Sequence, residues 1–181
     1  MPRLFIALTV PEDIADELVT LQSGVPDAHW QPVENFHITL CFAGEVHGAV
    51  MRDLMEELSD IAGPPFPVAI AGVEQFSSAK QPRALVALVE RSGRLDWLQQ
   101  KVTTVARNCG IEIAGRKFRP HVTLARFADR AETGHHIAQF MSSHGTFRSG
   151  PWITEEFVLY SSRPSRRGMV YTEEAGYPLT F

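Results

Sequence analysis

Hydrophobic and polar positions follow two periods along this chain. Leu4 to Leu8 is an unbroken apolar run, the mark of a buried strand. Pro11-Glu12-Asp13 then opens a helix, with proline at its first turn and acids near the positive end of its dipole. Ile14, Leu18 and Leu21 form the apolar stripe of that helix, and Gly24 ends it. The segment from His29 to Pro32 reads as a loop or short strand leading into a strand from about Asn35 to Phe42. Gly44 and Glu45 are expected to turn the chain out of it. Val50, Leu54, Leu58 and Ile61 then recur at helical spacing from Gly48 onward, and Gly63-Pro64-Pro65 stops that helix.

Phe66 to Val73 alternates as a strand, Ser77 to Pro82 is a polar turn, and Arg83 to Val89 is a second strand of a hairpin-like pair. Ser92 suits the N-cap of a third helix whose buried face is Leu95, Leu98, Val102, Val105 and Cys109, closed by Gly110. A strand is expected from Phe118 to Phe127, a weaker helix from Glu132 to Ser143, and one strand from Trp152 to Tyr160. Arg163 to Gly168 is a turn, Met169 to Thr172 a strand, and Tyr177 to Phe181 closes an edge. Strands and helices are interspersed without a regular βαβ repeat, and no glycine-rich phosphate fingerprint follows the first strand. The expected class is therefore α+β with mostly antiparallel sheet. Each half runs strand, helix, motif strand, or a close permutation. That order predicts one bilobal domain over residues 1–181, with pseudo-twofold lobes, outer helices and a central cleft.

The strongest local signal occurs twice. His37-Ile38-Thr39-Leu40 is matched by His121-Val122-Thr123-Leu124. Residues i and i+2 of a strand share a face, so each copy sets an imidazole beside a hydroxyl while its aliphatic residues point to the core. Two such strands side by side make a site with two imidazoles and two hydroxyls. Two imidazoles are the natural pair for general acid–base work near neutral pH, one removing a proton and the other giving one. Two hydroxyls can donate to the non-bridging oxygens of a phosphoryl group. This chemistry requires no metal or other cofactor.

Composition narrows the field. The 181 residues are 44% hydrophobic and 21% charged, as in an ordinary globular protein. The net charge of −4 gives no global attraction for nucleic acid. Basic residues nevertheless cluster: Arg116, Lys117, Arg119 and Arg126 surround the second motif, and Arg163, Arg166 and Arg167 form another group. Only two cysteines occur, Cys41 and Cys109, in no zinc or redox spacing, which suits a reduced cytoplasmic protein. The N-terminal apolar run is too short for a signal peptide, and nothing later approaches a membrane span. His135, His136 and His144 lack metal-ligand spacing and read as a solvated helix face, and no serine has a nucleophile-elbow context. Cys41 shares strand parity with His37 and Thr39, but the second motif has Ala125 at the equivalent place, which argues against a cysteine nucleophile.

These motifs resemble the paired H-x-T-x signatures of the 2H phosphoesterases. The chain most resembles their bacterial and archaeal RNA 2′,3′-cyclic phosphodiesterase branch, also named 2′-5′ RNA ligase for the reverse reaction. The likeness extends to Arg3-Leu4-Phe5-Ile6-Ala7, Trp30, Asn35-Phe36, Phe42, Gly44-Glu45, Phe118-Arg119-Pro120, Ala125-Arg126, Leu159-Tyr160-Ser161 and Val170-Tyr171. The resemblance implies a bilobal α+β fold and metal-free hydrolysis of the 2′,3′-cyclic phosphate end of RNA to a 2′-phosphomonoester. A monomer is the expected state, which the sequence itself does not disclose. It implies His37 as proton donor, His121 as acceptor from water, Thr39 and Thr123 on the phosphate oxygens, and Arg126 assisting them. Phe42 is a candidate for stacking on a base. Two other readings stay open: action on small cyclic nucleotides or ADP-ribose cyclic phosphate, and a non-catalytic RNA-end binding module. Strand parity poses a specific problem. Arg126 and Phe42 are out of phase with the histidines, and each reaches the cleft only if its strand ends, twists or bulges first.

Overall fold

The structure is a computed structural model that describes residues 1–78, 81–128 and 134–180. In chain order the elements are β1 (Arg3–Thr9), α1 (Glu12–Val19), β2 (His29–Trp30), β3 (His37–Glu45), α2 (Gly48–Ser59), β4 (Phe66–Ser78) and β5 (Gln81–Val89). They continue as α3 (Gly93–Asn108), β6 (His121–Arg126), α4 (Gly134–His144), β7 (Arg148–Thr154), β8 (Glu156–Ser165) and β9 (Gly168–Pro178). The strands form one curled sheet in the order β7-β4-β5-β6-β3-β1-β8-β9, with β2 added to β6. Every pairing is antiparallel. The order is symmetric about its middle, so the motif strands β6 and β3 are neighbours, each backed by a strand of its own half. This is the expected α+β pseudo-twofold architecture.

Local chemistry explains the elements. Leu4, Ile6 and Leu8 on β1 are fully buried, and so are Phe5 and Ala7 between them, because β1 lies inside the sheet with both faces covered. Ser92 caps α3, its hydroxyl oxygen accepting from the Leu95 N–H at 3.2 Å. Leu95, Leu98, Val102 and Ala106 make the buried stripe of α3, which packs on β3. Full burial of a leucine or valine side chain contributes about 1.5–3 kcal/mol, so this stripe fixes the helix behind the first motif strand. The next positions, Val105 and Cys109, are only partly buried, because the stripe drifts toward Thr103 and Ala106.

Three expectations are corrected. The stretch read as a single strand from Trp152 to Tyr160 is two strands that break at Glu155. β7 lies at one end of the sheet and β8 in the other half, so the chain must leave one and cross to the other. The second motif strand begins at His121 rather than Phe118. Before it, the Phe118 carbonyl accepts from Arg91 Nη1 at 3.0 Å and the Pro120 carbonyl from the Val89 N–H at 3.0 Å, so these groups are satisfied outside a regular ladder. Gly44 does not end β3: at φ +72° it sits within a strand that continues to pair Glu45 with Arg3. The tip of the turn expected at Ser77 to Pro82, the helix start expected at Glu132, and Phe181 lie outside the described residues.

Candidate active site

The two motif strands meet through the antiparallel pair Ile38 and Val122, both fully buried. One step along in either direction places His37 across from Thr123, and Thr39 across from His121. The burial profiles of the strands are identical over seven residues. His37, Thr39, His121 and Thr123 are half-buried, their aliphatic neighbours are buried, and Phe42 and Arg126 are exposed. Matching bulges cause this. On β3, Ile6 pairs with Cys41 and Ala7 with Thr39, so Leu40 is an extra residue. On β6, Leu85 pairs with Ala125 and Val86 with Thr123, so Leu124 is extra. A bulge reverses the alternation after it. Phe42 and Arg126 thereby turn to the face of the histidines, while Cys41 turns into the core at 4% exposure. The shared parity of Cys41 with His37 is thus lost, and its thiol lies away from the site.

A bulge also leaves a carbonyl without a ladder partner, and a glutamine reaches each one. Gln99 Nε2 donates to the Leu40 carbonyl at 3.4 Å, and Gln22 Nε2 to the Leu124 carbonyl at 3.2 Å. The Leu124 carbonyl also accepts the Gln31 N–H at 2.9 Å.

The imidazoles are held alike. His37 Nδ1 lies 2.7 Å from the Asn35 carbonyl, and His121 Nδ1 lies 2.6 Å from the Arg119 carbonyl. A carbonyl only accepts, so each Nδ1 carries the proton and each neutral ring keeps its lone pair on Nε2. Burial pushes the His37 pKa down to about 4, against the support of the Asn35 carbonyl and with the charges of His121 and Arg126 adding to the effect. Burial lowers His121 as well, and Arg126 and Arg119 reinforce it. The positive charge of Arg126 thus acts on both rings and favours their neutral forms. Among the described residues neither Thr39 nor Thr123 spends its hydroxyl on a hydrogen bond.

A model of LigT-like phosphoesterases matches residues 8–86 and 88–171. The chain belongs to that family. An Archaeoglobus fulgidus RNA 2′,3′-cyclic phosphodiesterase is 26% identical over 174 residues, covering 94% of this chain and 97% of the relative. An Escherichia coli RNA 2′,3′-cyclic phosphodiesterase is 26% identical over 189 residues, covering 98% and 97%. Among solved structures, Escherichia coli LigT in complex with 3′-AMP superposes with a TM-score of 0.83 at 26% identity, covering all of both chains. A Thermus thermophilus protein superposes with a TM-score of 0.82 at 25% identity, covering 98% of this chain and 97% of its own.

In this LigT-like phosphoesterase the walls of the site are aromatic, which strand periodicity alone does not reveal. Phe5 lies 4.8 Å from the His37 ring, and Tyr171 meets that ring edge-on at 5.2 Å. Phe5 also stacks on Tyr160 at 5.2 Å. These rings, with Glu34, Asn35 and Phe36, line a cavity of about 50 Å³ beside His37. Phe76 meets His121 edge-on at 4.7 Å, and Arg119 covers Phe76 at 4.6 Å while paired with Glu74. An open depression of about 690 Å³ beyond α3, at Arg107 and Gly110 to Ala114, holds none of the site groups. His135 is exposed on α4 and His144 packs on Phe140. Among the described residues no three His, Cys, Asp or Glu side chains converge to hold a metal, and no helix is long and apolar enough to cross a membrane.

Proposed function

We propose that this protein hydrolyses the 2′,3′-cyclic phosphate end of RNA to a 2′-phosphomonoester, with His37 and His121 as the acid–base pair. The observation that carries the reading is the matched tethering of two rings. Each Nδ1–H is spent on the carbonyl two residues earlier, so each Nε2 is left for substrate. The curated relatives named RNA 2′,3′-cyclic phosphodiesterase support the substrate class. His121 Nε2 takes a proton from water as its oxygen attacks phosphorus. The bond from phosphorus to the 3′ oxygen breaks, and that oxygen receives the proton of His37 Nε2. The Thr39 and Thr123 hydroxyls donate to the non-bridging oxygens, whose charge grows in the transition state, and Arg126 supplies a positive charge there. Phe42 offers an exposed ring for the terminal base.

Which imidazole is acid follows the family resemblance. The phosphodiester anion itself supplies what the acid needs. Its charge offsets the mutual repulsion of His37, His121 and Arg126 and raises the imidazole pKa values in the complex. The protein acts as a monomer in this reading; in the ligase direction a 5′-hydroxyl takes the place of water, opening the cyclic phosphate to a 2′-5′ linkage as the 3′ oxygen leaves and takes the proton.

The test is direct. EDTA-treated protein is incubated with an oligoribonucleotide ending in a 2′,3′-cyclic phosphate, and the product end is identified. The expected product is a 2′-phosphate, with each of His37→Ala and His121→Ala slowing its formation about 10²-fold or more. Full activity in either variant, or a 3′-phosphate product, overturns the mechanism.

A further inference from the structure

Arg166 and Arg167 form the exposed loop at the tip of the β8–β9 hairpin, where Ser165 pairs with Gly168. The tip has a defined shape. The Arg167 N–H donates to Ser165 Oγ at 3.2 Å, and the Ser165 hydroxyl donates to the Gly168 carbonyl at 2.7 Å. Gly168, at φ +111°, adopts a conformation open to glycine and rare for other residues.

Among the described residues neither arginine side chain is committed elsewhere. Arg91, Arg119 and Arg148 hold Asp96, Glu74 and Glu90 respectively. Among the described residues Arg166 and Arg167 hold no carboxylate. In a chain of net charge −4, two adjacent free cations on a shaped turn make a local site of opposite sign. Arg163 falls on the opposite face of β8 from Tyr160 and does not join them.

The hairpin is fastened to the His37 side of the cleft. The Asn35 side-chain amide donates to the Met169 carbonyl at 2.9 Å, and the Asn35 backbone carbonyl takes the His37 Nδ1–H. Two residues further along β9, Tyr171 packs against the His37 ring. Arg167 stands two residues before Met169, in the turn that leads into β9. The arginine tip therefore flanks the reacting position without being part of it.

We propose that Arg166 and Arg167 bind backbone phosphate of RNA upstream of the reacting end, so that the protein takes an oligonucleotide in preference to a mononucleotide. This rests on the site being one for a cyclic phosphate end. Such an end is the 3′ terminus, so every further phosphate lies on its 5′ side and must leave the cleft along one wall. On the His121 wall, Arg119 is already engaged by Glu74 and Phe76. The His37 wall ends in the free pair. Planar guanidinium groups suit phosphate oxygens, and a fixed turn reduces the ordering cost of presenting them.

Binding is measured rather than turnover, so that the outcome does not depend on the reaction. A fluorescent oligoribonucleotide ending in a 2′-phosphate and a nucleoside 2′-phosphate are titrated against the full chain over a range of salt. The wild type is expected to bind the oligonucleotide more tightly. Arg166→Ala/Arg167→Ala should weaken oligonucleotide binding about 10-fold and flatten the slope of log K against log salt by about 1.4, the single-strand value for two lost contacts. Mononucleotide binding should not change, and Arg166→Lys/Arg167→Lys should restore most of the slope. Arg116→Ala/Lys117→Ala, on the His121 side, should have the smaller effect. Equal wild-type affinity for the two ligands, equal weakening of both, or a slope carried by Arg116 and Lys117 overturns the proposal. If the hairpin result holds and the cyclic end is not hydrolysed, the reaction assigned above fails and the RNA-binding tip stands.

Discussion

Phe42 and Arg126 occupy one and the same place in the two halves of the sheet. Each follows its histidine by five positions, each comes after an extra leucine in the strand, and each is turned onto the histidine face. The sheet is thus symmetric in backbone and asymmetric in chemistry, with a ring on one wall and a cation on the other. The prediction is a split. Arg126→Ala should lower kcat by about 10²-fold, the scale for removing one preorganised charge partner in a transition state. Arg126→Lys should recover part of that loss, because it keeps the charge and loses the fork. Phe42→Ala should act through KM, raising it several-fold with little change in kcat, since a base contact is made equally in ground and transition states. Steady-state kinetics on a cyclic-phosphate oligonucleotide separates these cases. A kcat effect from Phe42→Ala as large as that of Arg126→Ala contradicts the assignment.

The pH profile follows from the buried rings. A working pair needs one imidazole protonated and one neutral, which gives a bell. In the free protein burial and neighbouring charges hold His37 down at about 4, and His121 is lowered too. The profile of kcat/KM reports free groups, so its maximum should lie below pH 6.5, the ordinary imidazole value. In the complex the substrate anion raises both groups, so the maximum of kcat should lie at higher pH than that of kcat/KM. Rates measured from pH 4 to 9 test both statements. A kcat/KM maximum above pH 7 would show that the rings are not held neutral.

The same shift affects stability. A folded pKa below the unfolded value means that the unfolded chain binds more protons in the interval between them. The neutral His37 therefore contributes stability that is fully present above pH 6.5 and is lost as the pH falls toward about 4. Thermal melts between pH 7 and pH 4.5 should fall steeply for the wild type and less steeply for His37→Asn. Phosphate should oppose the loss in the wild type, because an anion bound between the rings stabilises their charged forms. Parallel pH curves for wild type and variant would remove His37 as the cause.

Much of this site was legible in the sequence, and the reason is periodic. A histidine and a threonine two apart in a strand must share a face, so His37/Thr39 and His121/Thr123 could be paired before any fold was known. The α+β class follows from the interspersed strands and helices without a βαβ repeat, and the repeated order of elements hints at two lobes with the motif strands facing each other. What alternation alone hid was any feature that breaks it. The extra Leu40 and Leu124 reverse the parity of everything after them, so simple alternation puts Cys41 on the histidine face and Phe42 and Arg126 off it, the opposite of their positions in the sheet. Bulges depend on the register of the neighbouring strand, which a chain does not display locally. The break at Glu155 was hidden for a related reason: no glycine or proline marks it, and only the crossing from one half of the sheet to the other requires it. Phe5 was legible as core but not as the wall of the His37 ring. That contact depends on the curl of the sheet.

The glutamines behind the bulges provide the last prediction. Gln99 serves the Leu40 carbonyl and Gln22 the Leu124 carbonyl, so each supports one of the two parity reversals. Replacing Gln99 by alanine takes the side-chain donor from the Leu40 carbonyl, a loss of about 1–3 kcal/mol, whereas the Leu124 carbonyl keeps the Gln31 N–H when Gln22 is replaced. On stability Gln22→Ala should therefore be the milder of the two. On catalysis they should diverge in the opposite sense. Gln22→Ala loosens the turn that aims Arg126 and should lower kcat, whereas Gln99→Ala loosens the turn that aims Phe42 and should raise KM. Melting temperature and steady-state constants measured on the same preparations settle it. If activity falls simply in proportion to stability in both variants, the glutamines hold the fold and nothing more; a kcat loss confined to Gln22→Ala identifies the bulge at Leu124 as the part of the backbone that positions the cation.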